Sequence, residues 1–449
     1  MSAPTRAPAD EAHGAFLPPP ASGPDVGAAM HRLMTELYPV CRSITGDGVR
    51  ATLRRIAELI PLEVREVPSG TQVFDWTVPR EWNVRDAWVK DARGERVIDF
   101  RRSTLHLVSY SVPVRRRMSL AELRPHLHTL PDRPDAIPYR TAYYADAWGF
   151  CLAHRDLLAL EEGTYEVCID ATLEPGHLTY GECVLPGETD DEVLLSCHCC
   201  HPSLCNDNLS GVVLGVQLAR HLASLPRRRF TYRVLFAPVT IGAITWLWAN
   251  EARVSRIRHG LVLSGVGDPG GFTYKRSRRG DAAVDRAVAH VLAHAGDPHR
   301  VVDFSPYGYD ERQYGSPGFD LPVGCLMRTP HGEYPEYHTS DDDLAFVRPE
   351  ALAGALATTL RVLDVLERDR RLRNLVARGE PQLGRRGLYP AGDDATARLM
   401  ALLWTLNLSD GEHSLLAIAE RAAVPFATIA DAAALLRAHG LLAELPEAP

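Results

Sequence analysis

The stretch Leu194–Gly211, LLSCHCCHPSLCNDNLSG, decides how the rest of the chain is read. An apolar run enters it, a helix-like run leaves it, and six cysteine or histidine side chains lie between. A structural zinc cluster is set aside, because such clusters draw on two pairs of ligands separated by a loop and the second pair is missing. Glu192–Cys197 reads as a strand, where neighbouring side chains point to opposite faces, so Cys197 and His198 cannot both reach one ion. A disulfide framework is set aside too. Nine cysteines is an odd number, four of them fall between Cys197 and Cys205, and a chain of 449 residues is too large to depend on staples. Most of these thiols read as small buried hydrophobes. What remains is a cation site made of a histidine at the strand end and Asp207 at the mouth of the following helix. There, backbone N–H groups hold one carboxylate oxygen and leave the other for the ion. The third ligand is sought in HGEYPEYHTSDDDL, His331–Leu344, where His338 sits in a loop after the last apolar strand.

Outward from this stretch the chain alternates strand and helix. EVLLSC (192–197), FTYRVLFAPV (230–239), GLVLSGVG (260–267) and LPVGCLMR (321–328) read as buried strands. Asn208–Leu222 and AAVDRAVAHVLAHAG (282–296) carry apolar residues at helical spacing. This order predicts an α/β sandwich around a mostly parallel sheet, with sites outside the carboxyl ends of its strands. The opening stretch lies at such an end. The α/β domain is expected over 27–72 and 170–382. Residues 1–26 read as a floppy tail, and 73–169, with runs such as FDWTV, AWVKD, RVIDF and LHLVSYSV, as a β-rich insert. From 383 to 449 the rhythm of ARLMALLWTLN, SLLAIAERA and PFATIADAAALLRAHGLL predicts a winged-helix-like module.

Composition narrows the function. Hydrophobic residues make up 45% and charged residues 24%, as in an ordinary globular protein. A net charge of −8 gives no general field for nucleic acid, and from Met400 onward two arginines face six acidic residues. No run reaches the roughly 18 to 20 apolar residues of a membrane helix, and no basic segment followed by an apolar core marks a secretory signal. The expectation is a cytoplasmic protein with reduced thiols; a homo-oligomer is compatible with the sequence.

In order, LLSCHCCHP, NDNLSG, APVTIGAIT and EYHTSDD resemble the motifs of the M28-type zinc aminopeptidases. More closely, the chain resembles the bacterial aminopeptidase-like proteins grouped as DUF4910, with a DUF2172 insert and a C-terminal winged helix. YPVCRSITGDGVRATL, IPYRTAYYADAWGFCL, GYDERQYGSPGFDLPV and GEPQLGRRGLYP carry that likeness, which covers nearly everything after the first 26 residues. The resemblance implies that Asp207 and His338 are zinc ligands and that either His198 or His201 supplies the first imidazole. Two departures stand out. Val239 occupies the place of the glutamate that serves the peptidases as general base, a loss that commonly costs about 10² to 10⁴ in rate. Ser264 or Gly265 falls where an aspartate completes the second zinc site, so one zinc ion is expected. Glu311 of YDERQYGSP and Glu336 of YPEYH are the candidate substitutes for the base, and Arg42, Ser43 and Arg328 the candidates for substrate recognition.

Three functions follow. The first is a zinc-dependent hydrolase of a peptide-like or amide-linked small molecule, in a biosynthetic route. The second is a metal-binding scaffold that has lost turnover through Val239. The third is a regulatory protein acting through its terminal helical module, which the acidic balance of that module opposes.

Overall fold

A computed structural model describes residues 24–445. The part of the expected tail before Pro24 lies outside the described residues. Residues 24–26, inside the expected tail limit of 26, open a helix, α1 (Pro24–Leu37).

Contacts divide the chain into two units. Among the described residues the larger holds 24–285 and 297–357. Its centre is an eight-stranded sheet of β1 (Glu63–Pro68), β2 (His177–Leu185), β3 (Glu192–His198), β4 (Thr231–Ala237), β5 (Ile257–Leu263), β6 (Phe272–Lys275), β7 (His299–Val302) and β8 (Val323–Met327). The spatial order is β1-β2-β4-β3-β5-β8-β6-β7. β4, β3, β5 and β8 run parallel to one another, as do β6 and β7, whereas β1, β2 and the β8–β6 pairing are antiparallel. β3 is buried along its whole length, the mark of a parallel strand covered on both faces.

Helices cover the sheet. In α2 (Asp47–Ala57), Val49, Leu53 and Ile56 fall at spacings of four and three, and all are buried on one face. Asp47 in the first turn and Arg54 and Arg55 in the last complement the helix dipole. α2 follows Gly46, whose φ of 99° is open to glycine and strained for other residues. Helix α3 (Ser210–Ser224) packs on β3 and α1. Its second residue must be small, since a Cβ on Gly211 would stand 2.2 Å from the Leu263 carbonyl oxygen. Helix α4 (Ile241–Asn250) follows β4.

Between β1 and β2 lies a four-stranded antiparallel sheet, ordered 96–99, 81–90, 164–174, 114–119. Trp82, Val89, Ile98, Val167 and Ile169 from this sheet join the same core cluster as Leu194 and Leu235 of the large sheet. Its last strand runs on to Glu174, past the expected insert limit of 169, because the ladder with Glu81–Lys90 continues that far. LHLVSYSV, expected as strand, instead opens with a short helical turn at Thr104–His106 capped by the Ser103 hydroxyl.

The second unit holds 286–296 and 358–445 among the described residues. Strands Asp410–Ser414, Arg371–Asn374 and Leu442–Glu444 form an antiparallel sheet beside helices Ala395–Leu408, Leu415–Ala422 and Phe426–Ala438. The module therefore begins near 371 rather than at the expected 383. The strand Arg371–Asn374 lacks an apolar signature, and only its central place in the sheet identifies it. Leu402, Leu415, Ile418, Phe426, Ile429 and Leu436 build its interior. Arg437 pairs with Glu444 and Asp431 with Arg368.

Candidate metal centre

His198 is the last residue of β3, paired in register with Ala237 of β4. Beyond it the chain makes the loop that carries His201, then an irregular turn, Cys205–Leu209, before α3 begins. Asp207 lies in that turn with an extended φ of −110° rather than in the first turn of the helix, which corrects the helix-mouth placement. The turn is held from below by Asp342, whose Oδ1 accepts the Asn206 N–H at 2.5 Å and whose Oδ2 accepts the Asp207 N–H at 2.9 Å. Burial pushes the Asp342 carboxyl up to about 8, and these backbone N–H groups pull the other way. Asn208 spans the gap to β5: its amide donates to the Leu263 carbonyl at 3.0 Å, and its oxygen accepts the N–H groups of Gly211 and Gly265, both at 3.2 Å.

The Asp207 carboxylate, 1% exposed, sits among three imidazoles. His198 Nε2 is 2.8 Å from Oδ1, His338 Nε2 is 2.9 Å from Oδ2, and His201 Nε2 is 3.9 Å from Oδ2. The donor atoms of His198, His201 and Asp207 all lie within 4.8 Å of one another. Burial alone would raise the Asp207 carboxyl, but the surrounding histidines win and hold it well below the usual range. Burial also drives His201 down to about 3, more than its attraction to Asp207 can offset. A neutral imidazole beside a carboxylate is the ionisation state a metal ion requires.

The β-insert positions His338. Tyr139 donates its N–H to the His338 carbonyl at 2.8 Å and meets that imidazole edge-on at 5.0 Å. Ile137 and Ser340 exchange hydrogen bonds alongside. Tyr337 stacks on His338 with ring centroids 3.9 Å apart, and the backbone at His338 is left-handed, φ 55°.

The centre opens into a cavity of about 340 Å³ lined by Asp207, His201, His338, Val239, Thr240, Ile241 and a largely aromatic wall that includes Trp76, Tyr143, Tyr144, Tyr307, Tyr309 and Tyr337. Val239 faces this space, with no carboxylate at its position. Neither proposed substitute base lines the cavity. Glu311 is 1% exposed and paired with Lys275 at 2.8 Å. The same ammonium donates to the Tyr307 carbonyl at 2.6 Å, so this ion pair anchors the cavity loop. Glu336 is half-buried, and its carbonyl accepts from the Thr339 N–H and hydroxyl, shaping the turn around His338.

The three expected substrate-recognition residues are likewise structural. Arg42 is buried, donating to the His201 carbonyl at 3.1 Å and the Leu37 carbonyl at 2.7 Å. Ser43 pairs with the Ser109 hydroxyl at 2.9 Å. Arg328 donates to the carbonyls of Gly270 and Ala351 and lies over the Phe272 ring at 4.4 Å. Instead, the cavity presents His331, Arg312 and Tyr309, none of which was singled out from the sequence. His331 opens the same loop segment that carries His338. It lies 5.2 Å from Tyr309, ring to ring, and its Nδ1 is buried without a partner. Tyr309 stacks against His198 at 5.1 Å.

Sheet, strand-end site and terminal module define an aminopeptidase-like α/β protein of the M28 peptidase fold with a winged helix. The chain belongs to the family described as "Domain of unknown function (DUF4910)", whose model matches residues 31–369; a winged helix-turn-helix model matches 370–444. A relative from Clostridium acetobutylicum, "Putative polysaccharide biosynthesis protein with aminopeptidase-like domain", is 49% identical over 412 residues, 91% of this chain and 94% of its own. A crystal structure of a "putative peptidase" from that organism superimposes with a TM-score of 0.90 at 48% identity, covering 94% of this chain and 97% of the other. BSAP, a zinc aminopeptidase from Bacillus subtilis, shares the fold at 13% identity and a TM-score of 0.57, over 77% of this chain and 95% of its own.

Among the described residues no helix is long and apolar enough to cross a membrane. The nine cysteines are free thiols.

Proposed function

We propose that the chain is a zinc-dependent hydrolase of a peptide-like or amide-linked small molecule, holding one ion through His198, His201, Asp207 and His338. The observation that carries this reading is the convergence of three imidazoles on one buried carboxylate at the wall of an open cavity. Nitrogen and oxygen donors at bonds of about 2 Å suit zinc. The donor atoms of His198, His201 and Asp207 lie within 4.8 Å of one another, a spread that suits a single ion, and His338 Nε2 reaches the same carboxylate at 2.9 Å. When bound, zinc supplies a Lewis acid for an amide carbonyl and lowers the pKa of water.

The chain's own groups supply the rest. His331 is on the cavity wall, and burial lowers its affinity for protons. It is the group present for moving a proton where Val239 cannot. The aromatic wall gives planar faces to a ring-bearing ligand. The name of the Clostridium relative supports a biosynthetic setting.

Metal analysis of the purified full chain, followed by a screen of amino-acid amides and N-acyl compounds, tests the proposal. One zinc per chain, lost in Asp207→Asn, is expected. A chain that takes up no divalent ion would end it.

The second reading, a scaffold without turnover, is favoured by one observation: among the described residues Asp207 is the only carboxylate that lines the cavity. Under that reading Val239→Glu gains hydrolysis that the native chain lacks. Under the first, the native chain turns substrate over and the variant gains nothing.

A further inference from the structure

We propose that Arg312 is the seat of a carboxylate on the ligand, so that the cavity selects amides bearing a free carboxylate over amides bearing a free ammonium. The amide half of this statement rests on the metal-centre reading above; the carboxylate half does not.

Arg312 belongs to the short helix Glu311–Tyr314, whose backbone is fixed on both sides of it. Glu311 is locked to Lys275, and the Tyr314 hydroxyl meets the Ser196 hydroxyl at 2.8 Å beneath the sheet end. The guanidinium is thereby presented to the cavity wall from a rigid base. Among the described residues it has no ion-pair or hydrogen-bond partner, and its Nε is buried and unsatisfied. The guanidinium carbon lies 6.0 Å from the centre of the Tyr307 ring, and its charge also acts on the buried Asp310 carboxyl two residues away. Buried donors are nearly always paired, so an unpaired one on a cavity wall points to a ligand that completes it.

The charge pattern of the wall selects the ligand's sign. Both Asp207 oxygens are engaged by His198 and His338, and among the described residues no other carboxylate lines the space. An α-ammonium would find no acidic partner there. A carboxylate finds a planar fork of donors that matches it in two-pronged fashion. No lysine lines the cavity, which disfavours the more highly charged phosphate.

The test is calorimetric titration of the full chain, metal-free and zinc-loaded, with N-acetyl-L-tyrosine, N-acetyl-L-tyrosinamide and L-tyrosinamide. The acid is expected to bind at least about 10-fold more tightly than its neutral amide in both metal states, as suits a charge-assisted pair, with L-tyrosinamide weakest. Arg312→Gln should bring acid and amide to within about twofold without changing zinc content, and Arg312→Lys should keep an intermediate preference. Equal affinities in the native chain, tighter binding of L-tyrosinamide, or no binding of any of the three would overturn the proposal. So would a preference that survives Arg312→Gln, which would put the carboxylate on the metal. A preference that depends on Arg312 in a chain that binds no zinc would sustain this inference while removing the metal reading.

Discussion

Asp342 does not line the cavity, yet both of its oxygens hold the turn that carries Asp207. The change Asp342→Asn keeps the shape and removes one acceptor. A carboxyl in either protonation state offers lone pairs on both oxygens, whereas the amide must turn its NH₂ toward the N–H of Asn206 or of Asp207. One buried N–H is left unpaired, at a cost of about 1 to 3 kcal/mol. If that cost falls wholly on the ion-binding geometry of Asp207, zinc affinity drops by about 5- to 150-fold, given tenfold per 1.4 kcal/mol. Outer partners of metal ligands typically shift affinity by about 10- to 100-fold, which falls inside that range. Competition titration of zinc against a chromophoric chelator reads the effect. Asp341→Asn is the control, because Asp341 pairs with Arg133 at the surface and touches no part of the turn; its affinity should stay within about twofold. Unchanged zinc affinity in Asp342→Asn would refute the claim that this carboxyl positions Asp207.

Four further outcomes are expected. His331→Ala should lower kcat by about 10² to 10⁴ with zinc content intact; a variant within twofold of the native rate removes His331 from the mechanism. Arg233 is 2% exposed, with Nη1 at 2.5 Å from Glu182 and Nε at 2.7 Å from Glu192. Arg233→Met leaves the buried Glu192 carboxylate without its cation and Glu182 with only Arg65 at 3.8 Å and the Trp246 indole N–H, so denaturant unfolding should show a loss of about 3 to 5 kcal/mol, and a loss under 1 kcal/mol would contradict it. The Glu81 carboxyl, gripped at both oxygens by Arg50, is held down to about 2. Its depressed pKa contributes stability above the unfolded value of 4.5 that is lost as pH falls toward 2; the stability gap to Glu81→Gln should narrow over that window, and a constant gap tells against it. Burial pushes the Cys151 and Cys199 thiols up to about 12 and Cys183 up to about 11. At pH 8 about one Cys199 thiol in ten thousand is then ionised, so a thiol reagent should react slowly with native protein and with all nine cysteines after denaturation; rapid native labelling within Cys197–Cys205 would overturn the buried-thiol reading.

Part of the site could be read from the chain because the relevant signals are local. A strand that ends in His198 and a turn rich in Asn and Asp lie within a dozen residues of one another, and strand alternation together with turn chemistry limits where each side chain can go. Ion pairing was not legible in this way. Glu311 and Glu336 were expected near the metal because they sit in loops of suitable position, yet one is consumed by Lys275, 36 residues upstream, and the other gives the site only its backbone carbonyl. Arg42 and Arg328 carried the chemistry of substrate binding and turned out to donate to backbone carbonyls. Arginine serves both tasks with the same donors, and only the acceptor it meets distinguishes them.

The order of strands and helices, the reduced thiols and the metal-suited residue types were determined by the sequence alone, since hydrophobic periodicity and donor chemistry are properties of short segments. Tertiary structure decided which imidazoles meet Asp207, that the β-insert buttresses His338 through Tyr139, and that Arg312 and His331 face the cavity while Glu311 turns away. Those outcomes depend on contacts between residues tens to hundreds of positions apart, and the packing of the whole sheet, not any local preference, sets them.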